Sequence, residues 1–110
     1  MPPQESEHRI DLGDGHTAEW EGWHPDRALN PHLAGIPDVE KWGLTIYHTN
    51  PSGRDCAGFV TLDGEVQRRM EPNRTNRWTV ENWDPLTLSP SVLCSCGDHG
   101  FIREGRWVRA

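Results

Sequence analysis

The segment Cys94–Gly100, with the sequence CSCGDHG, constrains the fold of this chain more than any other part of the sequence. Thiolate sulfur and imidazole nitrogen are the usual ligands of zinc, and a structural zinc site needs four of them. Gly97 can adopt a positive φ, so a tight turn can direct Cys96 and His99 at one point. Cys94 lies two residues before Cys96 and can reach the same ion. We therefore predict a structural zinc site with Cys94, Cys96 and His99 among its ligands.

The fourth ligand is open at this point. Cys56 follows a turn and begins a predicted strand, which favours it, and His48 at the end of the preceding strand is the alternative. Water in the fourth position is a third possibility. A chain with no metal also stays open, because cysteine is often a small buried hydrophobe. The metal-free possibility is disfavoured because a small domain has a limited core, and a structural metal would stabilise it directly.

Proline and glycine limit the length of regular elements in this chain. It has 11 Gly and 9 Pro among 110 residues, and only 34% of its residues are hydrophobic. This composition is typical of short strands joined by turns and not of a helical bundle. We predict a mainly β fold: a small single domain of hairpins and loops over residues 10–110, with at most one or two short helical turns. Residues 1–9 are predicted to be a disordered tail.

Strands and turns follow from apolar alternation and from turn dipeptides. Asp14-Gly15 predicts a tight turn, and Pro90 is expected to interrupt an edge strand. The predicted strands are 16–23, 42–48, 56–62 and 86–93, with hairpins over 59–69, around Asp63-Gly64, and over 101–108, around Glu104-Gly105. Each of the six Trp residues can bury about 200 Å², so packing is the expected role of Trp20, Trp23, Trp42, Trp78, Trp83 and Trp107. A binding face that uses one or two of them is the alternative.

Charge and hydropathy exclude several partners. The formal net charge is −6, from 17 acidic and 11 basic residues, whereas phosphate-binding surfaces usually carry a basic excess; nucleic-acid binding is therefore not expected. No run of 18 apolar residues is present and the N-terminal residues are polar, so we expect neither a membrane span nor a secretory signal. The three cysteines do not form a disulfide framework. Together these features predict a cytoplasmic protein.

The C-terminal segment Leu86–Trp107, with the sequence LTLSPSVLCSCGDHGFIREGRW, resembles an uncharacterised family of small proteins. That family occurs in actinobacteriophage genomes and in bacterial operons that encode ubiquitin-like conjugation. The shared features are the Leu-Ser-Pro-Ser segment, the Cys/His knuckle and the aromatic-Ile-Arg hairpin that follows it. The resemblance implies a β-rich fold held by a Cys/His metal site, with Cys96 and His99 as ligands. It implies no activity, because the family has none established.

Three functions are consistent with these features. The first is a zinc-stabilised accessory module, encoded by a phage and bound to a host protein in the host cytoplasm; a closed Cys/His site cannot activate water, so this module is not expected to be an enzyme. The second is a metal-dependent hydrolase with His48 and His99 as ligands and Asp98 or Asp55 as general base. The third is an acidic mimic of nucleic acid, which would present Asp11, Asp14, Glu19, Glu21 and Asp26 on one side. Ser91 and Ser95 have no neighbouring base in the sequence, which disfavours a serine nucleophile.

Overall fold

A four-stranded antiparallel sheet forms the first half of the protein, whose computed structural model describes residues 9–50 and 52–110. Its strands lie in chain order: β1 (Arg9–Gly13), β2 (His16–Trp23), β3 (Val39–Thr49) and β4 (Asp55–Thr61). Asp14 and Gly15 have φ values of 52° and 75°, which a two-residue primed turn requires, so the predicted β1–β2 turn is confirmed. Of the predicted tail, residues 1–8 lie outside the described residues, and Arg9 begins β1.

Two smaller sheets form the second half. Strands β5 (Thr79–Trp83) and β6 (Leu86–Ser89) pair as a hairpin. Strands β7 (Val92–Leu93), β8 (His99–Arg103) and β9 (Arg106–Arg109) form an antiparallel sheet in that order. The predicted strand over 86–93 is divided into β6 and β7 at Pro90, as expected for a residue that cannot donate to a ladder. The predicted hairpin around Glu104-Gly105 is confirmed as β8–β9.

The predicted hairpin over residues 59–69 is wrong. Residues Glu65–Met70 form a short helix, α1, and a single 3₁₀ turn lies at Pro31–Leu33. Glu65 in the first turn of α1 and two arginines in its last turn complement the helix dipole. The buried Gln67 side chain donates a hydrogen bond to the Trp42 carbonyl at 3.2 Å, which fixes the helix against the first half of β3. The Asp63-Gly64 pair therefore begins a helix instead of reversing a strand.

One apolar core joins the three sheets. Leu44 on β3 and Ile102 on β8 are both fully buried and belong to the same cluster. The buried members come from eight strands and one loop residue after β4: Leu12, Ala18, Leu44, Ile46, Val60, Leu62, Leu86, Leu88, Val92, Ile102 and Trp107. This shared interior confirms a mainly β, small single domain. Trp20 and Trp78 pack against the cluster, whereas Trp83 is 53% exposed, so the packing role fits most but not all of the Trp residues.

The alternation of the β7–β9 sheet separates a buried face from an exposed face. Val92 pairs with Gly100 and Leu93 with His99, and Val92, Gly100 and Ile102 are buried. Neighbouring residues point to the opposite face, so Leu93 and His99 lie on the exposed side. Within residues 9–50 and 52–110, none of the helices has the length and apolar composition needed to cross a bilayer.

Candidate metal centre and serine–histidine pair

Four soft donor atoms converge where the first sheet meets the third. They belong to His48, Cys56, Cys94 and Cys96, and all of them lie within 4.8 Å of one another. The sulfur atoms of Cys56 and Cys94 are 3.3 Å apart, and Cys96 Sγ is 3.7 Å from His48 Nε2. The three cysteines are free and half-buried. Three thiols and one imidazole form a donor set of the type found in structural metal sites, so this group could hold a metal ion.

Backbone pairing places each of these donors. His48 and Cys56 are directly opposite each other on β3 and β4, so their side chains lie on the same face. Cys94 follows β7, where the Cys94 N–H donates to the Asp98 carbonyl at 2.8 Å and the Gly97 N–H donates to the Cys94 carbonyl at 2.9 Å. Gly97 has a φ of 98°, the left-handed conformation that the sequence predicted for it. This tight loop brings Cys94 and Cys96 to the edge of the four-stranded sheet.

Two of the three clustered thiols differ in pKa: the pKa is lowered at Cys94 and raised at Cys56. Burial alone raises the pKa of Cys94, but hydrogen bonds from the Cys96 backbone and from the His48, Cys56 and Cys96 side chains outweigh burial and lower the pKa to about 6. The hydrogen bond with Cys94, followed by burial, raises the pKa of Cys56 to about 11. The first thiolate therefore forms at Cys94 and opposes a second one at Cys56. A cation bound among these groups would favour the thiolate form of each of them.

A carboxylate and a second histidine lie behind His48. Asp98 Oδ2 is 3.5 Å from His48 Nδ1 and 2.5 Å from His16 Nε2. The other ring nitrogen of His16 is 2.7 Å from the Asp14 carbonyl oxygen. The His16 ring also stacks on Trp107, with ring centroids 4.1 Å apart. A carboxylate on the far nitrogen of a metal-binding histidine fixes the orientation of its ring, and Asp98 occupies that position.

The structure brings together Cys56, Cys94 and Cys96 from the predicted ligand set. His48, the alternative fourth ligand, is the residue that lies with them. His99 lies outside this group, and its Nε2 atom faces a different side chain. His48 follows Leu44 and Ile46 at a spacing of two residues on the buried face of β3, and this spacing is a sequence signal for a side chain that points inward.

His99 instead contacts Ser91 on the exposed face of the β7–β9 sheet. The distance between His99 Nε2 and Ser91 Oγ is 2.9 Å. Ser91 is half-buried and His99 is exposed, so the pair lies at the surface of the domain. Trp78 donates its indole N–H to the Ser91 carbonyl at 3.2 Å, which anchors the serine backbone at the start of β7. A serine hydroxyl beside an imidazole nitrogen is the minimal arrangement for nucleophilic catalysis.

Sequence reasoning considered Ser91 and found no base for it. His99 lies eight residues later and is brought back to Ser91 by the β7–β8 hairpin. With Leu93 opposite His99, alternation places Ser91 on the same face as His99. The signal was therefore present in the predicted hairpin register, but it required knowing that the Cys/His loop reverses the chain between Cys94 and Asp98.

The hydrolase hypothesis requires His48 and His99 to lie together, and the nucleic-acid-mimic hypothesis requires acidic side chains that are free to face a partner. His48 and His99 do not lie in one donor group, and Asp98 is held by His16 and His48. Of the five acidic residues named for mimicry, Asp14 forms an ion pair with Arg109 at 2.9 Å, and Glu21 accepts a hydrogen bond from Thr45. These carboxylates have local structural contacts.

Comparison with known proteins identifies a family. Residues 44–110, well over half of the chain, match the family model described as bacterial ubiquitination-like system serine protease (BubE). The match includes the four clustered donors, Ser91 and His99. It confirms the part of the resemblance that concerned bacterial ubiquitin-like conjugation operons, while a phage origin stays a prediction. No curated protein and no solved structure matches the chain.

Proposed function

The chain belongs to the BubE family, and we propose that it is a serine peptidase of a bacterial ubiquitination-like system, with Ser91 as nucleophile and His99 as general base. The observation that carries this proposal is the 2.9 Å contact between His99 Nε2 and Ser91 Oγ. A serine hydroxyl is a weak nucleophile until a base within about 2.6–3.2 Å accepts its proton. The exposure of His99 leaves room for a substrate beside the pair.

The reaction that this pair supports is acyl transfer. Ser91 Oγ attacks the carbonyl carbon of the substrate while its proton passes to His99 Nε2, and the imidazolium then gives that proton to the leaving amine. A water molecule attacks the resulting ester, loses a proton to His99 and releases the acid, and Ser91 regains its proton. Ubiquitination-like conjugation joins a protein carboxyl group to another molecule, so an acyl bond is the class of bond that such a system presents for cleavage.

Zinc is the metal we propose for the four-donor group. Three thiols and an imidazole suit a soft or borderline cation, and four protein ligands leave no open coordination position. A zinc ion bound there supplies stability to the fold and no catalytic chemistry. Cys94 and Cys96 then hold the loop between β7 and β8, and that loop determines where His99 lies relative to Ser91. The donor set and the pair therefore form one structural unit.

The accessory-module hypothesis shares part of this proposal. A peptidase of a conjugation system acts on a protein, so a protein partner is expected under both functions. A phage-encoded module that binds a host protein in the cytoplasm stays a prediction. The two hypotheses differ at Ser91, because an interaction module has no need for an activated serine.

Reaction with an alkyl fluorophosphonate tests the proposal. We expect one label per chain, located on Ser91 by peptide mass spectrometry. Ser91→Ala should abolish labelling, and His99→Gln should slow it by about 10²–10⁴-fold, the usual contribution of a general base. Ser52→Ala, which changes an exposed serine in the β3–β4 turn, is the matched control and should label at the wild-type rate.

Metal content and circular dichroism of each variant show whether it is folded. Two results would contradict the proposal. One is a label on a serine other than Ser91. The other is a folded His99→Gln variant that labels as fast as the wild type.

A further inference from the structure

A mostly apolar cleft lies between the edges of β4 and β7, next to the strand that follows Ser91. Its volume is about 250 Å³, and its lining includes Gly58, Phe59, Val92 and Leu93 together with His48, Cys94 and Asp98 of the metal centre. Val92 directly follows Ser91, and Trp78 donates a hydrogen bond to the Ser91 carbonyl. The cleft is therefore continuous with the segment that carries the proposed nucleophile. Phe59 and Leu93 are 48% and 67% exposed, which leaves apolar surface open on both sides of the cleft.

The backbone of β4 offers hydrogen-bonding groups to the same cleft. β4 is the last strand of its sheet. At its end, the Thr61 carbonyl accepts a hydrogen bond from the Trp78 N–H at 2.8 Å, so the backbone of Thr61 points away from β3. Because this direction alternates along a strand and the β3–β4 register is unbroken, the N–H and C=O groups of Ala57 and Phe59 point outward as well. In the described part of the chain, no other backbone group pairs with them.

Trp78 shows that extended chain fits next to β4. It forms a parallel bridge to Leu62 just beyond the strand. Between that bridge and the contact of Cys56 with Cys94, the outer edge of β4 is unpaired over Ala57–Val60. An unpaired edge of this kind binds an extended peptide by main-chain hydrogen bonds, and a neighbouring pocket takes one of its side chains.

We propose that the edge of β4 and this cleft bind the substrate of the peptidase as an extended strand. The backbone of the substrate pairs with Ala57 and Phe59, and one apolar side chain enters the cleft over Gly58. The inference rests on the proposed function, because the occupant is the segment whose carbonyl group Ser91 attacks. The volume supports a side chain as the occupant, since small-molecule sites usually measure about 300–1,000 Å³.

Gly58 makes the inference testable by substitution. A Cβ atom built on Gly58 has no other atom within 4 Å, so a larger side chain there projects into the cleft. Val60 and Cys56 lie on the same face of β4 as Gly58. Valine suits a strand, so Gly58→Val fills the cleft. Gly35 also has nothing within 4 Å of a built Cβ and lies in the β2–β3 connection, so Gly35→Val is the matched control.

Two phosphonates, one with a peptide portion and one without, provide the experiment, and the rate of each is compared with its own rate on the wild-type protein. One is the small alkyl fluorophosphonate, and the other is a diphenyl phosphonate built on acetyl-Leu-Ala-Leu. Gly58→Val should slow the tripeptide probe by about 10–200-fold, the loss expected when a pocket no longer accepts one apolar side chain. It should leave the small probe within about twofold of the wild-type rate. Gly35→Val should change neither rate.

Methylation of the central amide nitrogen tests the backbone pairing in the wild-type protein, because it removes a donor without changing the side chains. We expect this methylated tripeptide probe to react at least about tenfold more slowly, the equivalent of about one hydrogen bond. If Gly58→Val slows both phosphonates equally, or slows neither, the inference is overturned.

A binding experiment separates the failure of this inference from the failure of the proposed function. Acetyl-Leu-Ala-Leu-amide is titrated into ¹⁵N-labelled Ser91→Ala protein. Shifts of the Ala57 and Phe59 amide resonances that are absent in the Ser91→Ala, Gly58→Val double variant support the peptide site, even if neither phosphonate labels Ser91. Labelling of Ser91 without such shifts retains the peptidase and rules out β4 as its peptide site.

Discussion

The β1–β4 sheet and the β7–β9 sheet differ in strand length, and therefore in how far strand pairing alone specifies their structure. β3 spans Val39–Thr49 and pairs with a strand on each side, whereas β7 has two residues. The long strands alternate buried and exposed side chains and specify their own register. The short strands contribute Val92, Ile102 and Trp107 to the common core, but an isolated sheet of this size is marginally stable.

The candidate site lies mainly in the region with the shorter strands. Ser91 directly precedes β7 and His99 begins β8, and the loop between these strands contains two of the four clustered donors. The other two donors lie on β3 and β4. Ligands from both regions therefore meet at the junction. This division indicates that the longer sheet provides a platform, and that a metal ion held by the four donors would join the β7–β8 hairpin to it.

Metal removal should have the largest effect on stability. If it had little effect, the proposed dependence of the β7–β9 sheet on the metal would be wrong. We expect a strong chelator, or Cys94→Ala, to unfold the β7–β9 sheet and to lower the melting temperature of the whole domain. The apparent binding free energy of a structural zinc site is about 10–16 kcal/mol in peptides, as large as the total stability of a typical domain. Tryptophan fluorescence and circular dichroism, followed with and without added zinc, measure the effect. An unchanged melting temperature after verified metal removal would show that the apolar core alone is sufficient.

Truncation of one core residue in each sheet comes next. Leu44 on β3 and Ile102 on β8 are both fully buried in one cluster. We expect Leu44→Ala and Ile102→Ala each to cost about 2–5 kcal/mol, with a single cooperative transition in urea. Tyr47→Phe on the exposed side of β3 is a control that should cost little. Two separate transitions in the Ile102→Ala variant would mean that the sheets fold independently.

Two glycines in the two regions sharpen the comparison at a smaller scale. A Cβ atom on Gly100 of β8 would lie 2.5 Å from the Trp107 ring, whereas a Cβ atom on Gly58 of β4 meets nothing within 4 Å. We therefore expect Gly100→Ala to destabilise the protein by about 1–3 kcal/mol. Gly58→Ala should leave stability unchanged or raise it by up to about 1 kcal/mol, because alanine loses less backbone entropy than glycine in a strand. Equal effects in urea unfolding would indicate that the β7–β9 sheet can shift to accept the added atom.

The sequence was sufficient for the platform and for part of the site. Alternation over 16–23, 42–48 and 56–62 predicted β2, β3 and β4, because each strand has one buried face. It failed after β4, where Asp63-Gly64 permits either a hairpin or a helix start. There, tertiary contacts made by the Gln67 side chain to Trp42 favour the helix.

The ligand set shows where local spacing stops being informative. Cys94 and Cys96 could be paired from their separation, but Cys56 and His48 enter through the β3–β4 register, which brings distant residues together. His99 has the right spacing from Cys96 for a ligand, and the hairpin instead places it beside Ser91. Spacing along the chain identifies donors that can converge, and only strand pairing decides which of them do.

A surface ion pair in the N-terminal half should have the smallest effect. The Asp38 carboxylate contacts His24 at 3.1 Å and Arg27 at 2.8 Å, and hydrogen bonds from first His24 and then Arg27 lower its pKa below the ordinary value of 3.8. A lowered carboxyl pKa favours the folded state at pH values where the carboxylate is ionised, so Asp38→Asn should lower the urea midpoint at neutral pH. The decrease should be smaller than that caused by Gly100→Ala, because exposed ion pairs contribute little stability. The gap should not shrink between neutral pH and about pH 5, since the wild-type carboxylate is ionised there in both the folded and the unfolded state. Closure of the gap above that pH would mean that the two contacts do not hold the carboxylate in its charged form. By contrast, His16 and Asp98 are enclosed between the two sheets, so the same pairing of imidazole and carboxylate is peripheral in one half of the molecule and central at the junction.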